Sequence, residues 1–327
     1  MDDLKLPLIL SFLKDVGSDL YQRANNIPFI ELCQQLQIVK GSPEYTKPVN
    51  VGLLLFNDHP IKIFKGAKID VVRYFDSIGD ELEERIFEGP IHIQLKNALQ
   101  FIQNNIIAER VRKVPNQAEA QRFYNYPFAA IEEALANAVF HRSYELEDPI
   151  EVNIRLDRIE ILSFPGPVPP VNNEDLKKDR IVARSYRNRR IGDFLKELRL
   201  TEGRGTGIPK IRRTMNLNGS PNPVFDTDES RSYFLVTLPI HANFLPLPDV
   251  QDVFSTKNIL LLCRKPHSRL SILTELGMDA GAASYRKYIQ PLIQSNFLQL
   301  TIPDKPSSKN QKYVTTSRGE ALLKKIG

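Results

Sequence analysis

The stretch from Tyr126 to Tyr144, YPFAAIEEALANAVFHRSY, narrows the possible folds more than any other part of the chain. Pro127 suits the first turn of a helix, where its missing N–H costs nothing. Apolar residues then recur at helical spacing. They are Ile131, Ala134, Leu135, Ala138 and Val139. The stretch therefore predicts a helix with one apolar face.

A second stripe of the same helix is polar. Glu133, Asn137 and His141 fall at i, i+4 and i+8. A carboxylate and a carboxamide one turn apart can serve one bound ligand. The amide oxygen can ligate a hard cation such as Mg²⁺, and the carboxylate can orient water or accept its proton. The alternative is an amphipathic helix whose polar face is simply solvated.

Composition sets the class of protein. The chain has 327 residues, enough for two or three domains. No apolar run approaches the ~20 residues that span a bilayer. The acidic start, MDDLKLPLILSFLKD, lacks the basic region and cleavage site of a signal peptide. Cys33 and Cys263 match no metal-ligand spacing. We therefore predict a cytoplasmic protein with no membrane partner, in which both cysteines are reduced core residues.

The net charge of +5 is unevenly distributed. Residues 257–327 hold twelve Lys and Arg against four Asp and Glu, a local excess of eight positive charges, so residues 1–256 are slightly acidic. A locally basic domain suggests a polyanionic partner, most often nucleic acid.

Residues 1–115 are predicted to form an α/β unit that packs on the central part of the chain. Its expected elements are two helices within 1–45, a buried strand at 49–56, a second strand at 67–75 and a helix at 91–107. We find no catalytic constellation there, and the isolated His59 and His92 are expected to be structural or solvated.

Residues 116–245 continue from the central helix into a predicted hairpin. Its strands are the alternating runs 149–156 and 158–164, and the prolines of PGPVPP forbid further strand pairing. The remaining expected elements are a basic loop or lid at 172–190, a short helix at 191–200, a glycine-rich turn at 201–207 running into a helix, and a closing strand at 233–240.

The glycine-rich turn is a candidate phosphate-binding loop. Gly203, Gly205 and Gly207 alternate just before a helical run. Glycines let the backbone approach phosphate oxygens, and the N–H groups of a helix N-terminus point at the anion. The spacing matches neither the dinucleotide fingerprint nor a P-loop. A plain tight turn is the alternative.

The order of these parts resembles the GHKL ATPase fold of gyrase B, MutL and the histidine kinases. In that fold the helix Glu is a general base, the Asn ligates Mg²⁺, the first turn reads adenine and the glycine loop covers the phosphates. The resemblance implies ATP and Mg²⁺ as cofactors. It makes Glu133, four residues before Asn137, the base rather than Glu132, and Asn137 the metal ligand. It implies the following further site residues: Gly203, Gly205 and Gly207 as the lid, His141 at the pocket edge, and Ser163 and Gly166 in the adenine turn.

One position departs from the pattern. GHKL ATPases place an Asp in the first turn, whereas this chain has Ser163. A serine hydroxyl accepts one hydrogen bond without charge assistance, so adenine recognition is expected to be weaker. In an alternative interpretation, His141 and Arg142 belong to a helix-end network with Tyr144 and Glu145.

A closer resemblance covers nearly the whole chain. The segments EEALANAVFHRSY, DRIEILSFPGPVPP and YRNRRIGDFLKELRLTEGRGTGIPKI are similar to bacterial transcriptional regulators that join a divergent GHKL-like module to a winged helix. Such proteins are often labelled RecG-like or Schlafen-associated. They commonly carry an additional N-terminal AlbA-type domain, which this chain is expected to lack.

Residues 241–254 are the predicted linker, and the predicted third domain is 246–327. Beyond the linker, this domain matches a winged-helix pattern of three helices, a hairpin and a closing helix. Within AASYRKYIQPLIQ, the expected recognition helix, Arg286 and Lys287 are the predicted DNA contacts. The hairpin tip would contribute Lys305, Lys309 and Lys312 as the wing. The alternative is a protein-binding winged helix with solvated lysines.

The sequence thus predicts an α+β fold: an N-terminal α/β unit packed on a GHKL-like, Bergerat-type α/β sandwich, followed by a winged helix. The predicted function is a DNA-binding transcriptional regulator whose module binds a nucleotide. Two alternatives stay open, a weak ATPase and a scaffold with a degenerate pocket. A homodimer is plausible, because winged-helix regulators often pair on palindromic sites.

Overall fold

The computed structural model describes residues 1–76, 79–113, 120–178, 185–201, 207–244, 253–306 and 308–326. The chain divides into two compact units, residues 1–244 and 245–327. Within the described ranges, no helix combines the length and apolar character that crossing a membrane requires.

The first unit is built on a mixed six-stranded sheet. Its strands, in spatial order, are β4 (Leu82–Phe87), β3 (Ile69–Tyr74), β7 (Ile150–Ile154), β8 (Arg158–Ser163), β10 (Phe234–Pro239) and β9 (Val224–Asp226). Among the described strands of this sheet, only β3 and β7 pair in parallel, and the other four pairings are antiparallel. The described part of this unit also contains two small antiparallel pairs: β1 (Val39–Lys40) with β2 (Lys47–Pro48), and β5 (Glu109–Arg112) with β6 (Gln121–Tyr124).

Helices cover one face of this sheet. Alternate residues of β7 and β8 are buried, as expected for strands with one covered face. Helix α5 (Ile91–Asn105) contacts β3 and β4, and α6 (Phe128–His141) contacts β8. The helices of the unit are α1 (Leu6–Asp15), α2 (Leu20–Arg23), α3 (Phe29–Gln35), α4 (Asn50–Phe56), α5 (Ile91–Asn105), α6 (Phe128–His141), α7 (Asn173–Lys177), α8 (Arg189–Glu197) and α9 (Gly207–Leu217).

Most predicted elements of the first unit are confirmed, including the central helix α6, the hairpin β7–β8 and the closing strand β10. The strand predicted at 49–56 is wrong, because these residues form the helix α4. A short apolar run does not distinguish a buried strand from a buried helix, and every residue of α4 from Leu54 to Phe56 is buried. The hairpin β5–β6 was not predicted from its charged sequence.

The second unit contains a three-stranded antiparallel sheet in the spatial order β11 (His267–Ser268), β13 (Lys312–Thr315) and β12 (Leu298–Leu300). Its core includes Leu260, Cys263, Ile272, Ile289 and Phe297. In chain order its elements are α10 (Val253–Leu262), β11 (His267–Ser268), α11 (Arg269–Glu275), α12 (Ala282–Ser284), a π-helical segment (Tyr285–Ile289), α13 (Gln290–Gln294), β12 (Leu298–Leu300), β13 (Lys312–Thr315) and α14 (Ser317–Ile326). The predicted hairpin is confirmed as β12–β13, whereas β11 was not predicted.

The π-helical segment interrupts the expected recognition helix. Pro291 lies in the first turn of α13. Its ring removes one backbone donor and clashes with the preceding turn, so the helix widens there. The exposed and buried sides still follow the predicted pattern, because Ile289 is buried and Arg286 and Lys287 are exposed.

Candidate functional site

Helix α6 carries the predicted ligand-binding side chains. It begins at Phe128, with Pro127 at the N-cap position, and packs against β8 and α9. Its apolar face is buried as predicted, and Glu133, on the other stripe, is also only 5% exposed. A buried carboxylate needs a partner. The local contacts of Glu133 therefore determine what this site can do.

Both carboxylate oxygens of Glu133 have partners. Oε1 accepts a hydrogen bond from Nδ2 of Asn137 at 3.2 Å, and Oε2 lies 3.1 Å from Nζ of Lys210 on α9. The bond from Asn137 uses the amide nitrogen and leaves the amide oxygen, the atom that would ligate a metal, out of this pair. The predicted carboxylate–amide pair thus exists, with a lysine added to it.

Gly207 brings α9 into contact with this pair. A Cβ atom at Gly207 would lie 2.4 Å from Nδ2 of Asn137 and 2.8 Å from Oε1 of Glu133. Such distances are far below van der Waals contact, so only glycine permits this approach of the two helices. Gly203 and Gly205 of the predicted lid lie outside the described residues.

A cavity of about 160 Å³ adjoins Asn137. Its lining is mostly apolar and comes from α6, the proline-rich turn after β8, α9 and the strands β9 and β10. The apolar side chains include Ala134, Val168, Val171, Leu176, Ile211, Phe225 and Val236. Four of the predicted site residues, besides Gly207, line the same cavity: Asn137, His141, Ser163 and Gly166.

Ser163 and Gly166 line the cavity where β8 runs into the proline-rich turn. Ser163 ends β8 and is 3% exposed. A Cβ atom at Gly166 would lie 2.6 Å from both the Tyr233 carbonyl oxygen and Oγ1 of Thr227. Any larger residue would therefore push the turn away from the neighbouring chain.

His141 lies at the edge of the cavity, beside two residues that were not predicted. Its ring stacks on Tyr186, with centroids 5.8 Å apart. Arg187 donates hydrogen bonds to the carbonyl oxygens of His141 and Gly166. Burial, with a smaller effect of the Arg187 charge, lowers the pKa of His141 to about 4. His141 is therefore neutral at pH 7.

Arg142 belongs to a separate, structural network at the end of α6. It is 1% exposed and donates to the carbonyl oxygens of Ser143, Leu146 and Asp148 at 3.1, 3.3 and 2.8 Å, and also to that of Gly66. Its guanidinium lies 4.9 Å from the ring centroid of Tyr144. The helix-end network considered from the sequence therefore includes Arg142 and Tyr144, while His141 lines the cavity.

The sequence reasoning missed Lys210, Tyr186 and Arg187. Lys210 follows Gly207 by three positions, so one helical turn places both on the same side of α9. That spacing was a usable signal. Tyr186 and Arg187 lie next to residues whose structure is not described, in a basic stretch where no periodicity separates one arginine from another.

The chain's own residues fit a metal that arrives with a phosphate ligand. No group of three or more His, Cys, Asp or Glu side chains in the described ranges could hold a metal ion. Mg²⁺, however, is commonly bound through one or two protein groups, substrate phosphates and waters. Asn137, with Glu133 beside it, would supply that small protein share.

The predicted DNA contacts are all exposed. Arg286 and Lys287 lie on the π-helical segment, and the hairpin β12–β13 carries Lys305, Lys309 and Lys312. Nζ of Lys287 lies 5.1 Å from the ring centroid of Tyr288, so this lysine is partly ordered by its neighbour.

Comparisons with known proteins match parts of the chain. Residues 147–238 match the family model described as "Putative ATP-dependent DNA helicase recG C-terminal". Residues 256–316 match "Filamentation induced by cAMP protein Fic-like, C-terminal domain". No curated protein matches the chain.

A crystal structure of the DIP2311 protein from Corynebacterium diphtheriae is similar in fold, with a TM-score of 0.55 and 17% sequence identity. The match covers all of this chain, which spans 64% of the length of the DIP2311 chain. The first family match, residues 147–238, contains the hairpin β7–β8, the proline-rich turn, α9 and nearly all of β10. This match supports the resemblance of the first unit to a divergent GHKL-like ATP-binding module. It also includes many of the residues that line the cavity.

Proposed function

We propose that the first unit binds a magnesium nucleotide, ATP, and that the second unit is a winged helix that binds DNA, so that the protein is a nucleotide-responsive transcriptional regulator. One observation is the main support for nucleotide binding by the first unit. Asn137, Glu133 and the start of α9 meet at one side of an apolar cavity, and residues 147–238, which supply much of the cavity lining including the start of α9, are similar to an ATPase family.

The size of the cavity suggests which part of a nucleotide would enter it. A dry apolar cavity of roughly 150 Å³ takes up benzene, so 160 Å³ suits a ring system and not a whole nucleotide. The base would occupy the apolar cavity, with the Ser163 hydroxyl as a polar partner. The phosphates would lie towards Asn137 and the N-terminus of α9, where backbone N–H groups and Lys210 favour an anion.

The same contacts give Glu133 a role in positioning its neighbours. In Glu133, one oxygen accepts from Asn137 and the other pairs with Lys210. This arrangement supports a nucleotide sensor in which Glu133 holds Asn137 and Lys210 in place.

Replacing Asn137 by alanine is expected to weaken the affinity for Mg-ATP about tenfold or more, because the metal loses its amide ligand and Glu133 loses a donor. Isothermal titration of the full chain with Mg-ATP, repeated with EDTA in place of Mg²⁺, measures this. EDTA should weaken binding to the wild type much more than binding to Asn137→Ala.

Asn216→Ala is the matched control, because Asn216 lies exposed on α9. It should bind Mg-ATP like the wild type. If Mg-ATP gives no heat with the wild type, or an equal response with Asn137→Ala, the nucleotide proposal is wrong.

The topology and the charge of the second unit support the proposal that it binds DNA. Its order of helices and strands, with a hairpin between the last two helices, agrees with the winged-helix pattern. The exposed cations on the π-helical segment and the hairpin could reach phosphates from two sides of one duplex groove.

Lys309→Ala is expected to reduce the salt dependence of DNA binding by about one unit of log K against log [salt], since one phosphate contact is lost. Arg286→Ala should do the same and also weaken any sequence preference. Fluorescence anisotropy of a short labelled duplex, titrated over a sodium chloride series with and without Mg-ATP, measures both effects. Lys196→Ala, an exposed lysine on α8, is the control and should leave the slope unchanged. Equal slopes for all four proteins would contradict a DNA-binding role for these residues.

A further inference from the structure

Strand β4 is an edge of the six-stranded sheet. It pairs with β3, and among the described residues no strand pairs with its other side. The N–H of Phe75 donates to the carbonyl of Glu81 at 2.9 Å, which fixes the alternation of hydrogen bonds between the two strands. The backbone groups of Leu82, Glu84 and Ile86 therefore point away from β3.

The apolar side chains of this edge strand are exposed to solvent. Leu82 and Ile86 are 49% and 50% exposed, on the face of the sheet that also carries Glu84. Glu83 and Arg85, on the opposite face, form an exposed ion pair at 3.3 Å. An edge strand with free backbone groups and exposed apolar side chains is a template for pairing with another strand.

We propose that β4 is the surface through which two copies of this chain associate, edge to edge and antiparallel, about a two-fold axis at Glu84. In this register Leu82 lies opposite Ile86 of the second copy, and Glu83 lies opposite Arg85 of the second copy. Each pair occurs twice because of the symmetry. Both kinds of pair, apolar with apolar and negative with positive, stabilise antiparallel strands.

The sequence of β4 selects this register over its neighbours. Moving the axis by one residue towards Arg85 would place two Arg85 side chains opposite each other, and moving it towards Glu83 would pair two Glu83 carboxylates. The axis at Glu84 also has a like-charge pair, but of the three axes it is the only one that places the apolar Leu82 opposite the apolar Ile86. A second copy is the occupant that fits, because the strand is complementary to itself.

The axis at Glu84 brings two carboxylates together, which weakens the pairing. The contact is also short, so it belongs to the small, transient class of interfaces. We therefore expect a reversible dimer whose affinity depends on the charge at Glu84. This inference does not depend on nucleotide or DNA binding.

Sedimentation velocity of the full chain over a concentration series tests the proposal. The wild type should shift from monomer to dimer with rising concentration. Glu84→Pro removes an outward N–H and leaves the β3 pairing intact, so it should weaken association about tenfold or more. Glu84→Gln removes the like-charge contact and should strengthen it. Urea unfolding of each variant checks that the fold is retained.

A charge exchange gives a second test that does not depend on proline. Glu83→Arg should weaken the dimer, because it places two positive charges opposite each other, the new side chain and Arg85 of the second copy. The double variant Glu83→Arg with Arg85→Glu should restore the dimer. A wild type that stays monomeric at high micromolar concentration overturns the proposal. So does an unchanged dimer in both Glu84→Pro and Glu83→Arg.

Discussion

Replacing Arg142 by alanine is expected to lower the free energy of unfolding of the first unit by about 3–5 kcal/mol. The side chain is almost completely buried and donates to four carbonyl oxygens, which belong to Gly66, Ser143, Leu146 and Asp148. Alanine would leave these acceptors without donors and open a cavity beside Tyr144. Urea unfolding followed by circular dichroism measures the loss.

Two further variants separate this effect from the loss of a charge. Arg142→Lys keeps the charge but cannot reach the same carbonyls with a planar fork, so it should still be clearly destabilised. Arg213→Ala removes an exposed arginine of α9 and should change stability by no more than about 0.5 kcal/mol. A loss below about 1 kcal/mol in Arg142→Ala would show that the network is not a main stabiliser.

Acidification from pH 6.5 towards pH 4 is expected to destabilise the first unit. His92 is 3% exposed, and burial, helped by the charge of Lys96, lowers its pKa to about 4. In the unfolded chain its pKa is near the ordinary value of 6.5. Between these two values the unfolded chain binds a proton that the folded chain does not, so stability falls as the pH falls. His92 alone contributes about 3 kcal/mol to this fall.

Urea unfolding between pH 7 and pH 4 measures the effect. His92→Gln should flatten the pH dependence, because glutamine does not titrate. Part of the dependence should remain, since burial also lowers the pKa of His141 to about 4. His59→Gln is the control, because His59 is exposed. A slope that is the same in the wild type and in His92→Gln would contradict the assignment.

Local periodicity predicted the parts of the site that one segment contains. The apolar stripe of α6, the alternation in β7 and β8 and the prolines after Ser163 each encode their structure within a few residues. The helical spacing from Glu133 to Asn137 was therefore enough to predict that the two side chains would meet.

Contacts between distant segments were not predictable in this way. Lys210 reaches Glu133 because Gly207 lets α9 approach α6. The spacing of Gly207 and Lys210 places both on one side of α9, but it does not show which helix that side contacts. The helix α4 was predicted as a strand because its surroundings, and not its own sequence, decide between the two. The place of β3 between β4 and β7 likewise depends on its pairing with β7, which lies far along the chain.

That pairing has a consequence for how the protein can be shortened. Strand β3 supplies the parallel neighbour of β7, and the Gly66 carbonyl just before it receives Arg142. In a fragment starting at residue 116, β7 would become an edge strand, and Arg142 at the end of α6 would lose the Gly66 carbonyl as an acceptor. Truncations designed for ligand screening or crystallisation should therefore retain the polypeptide from Gly66 through Tyr74, however clearly the sequence suggests a later boundary.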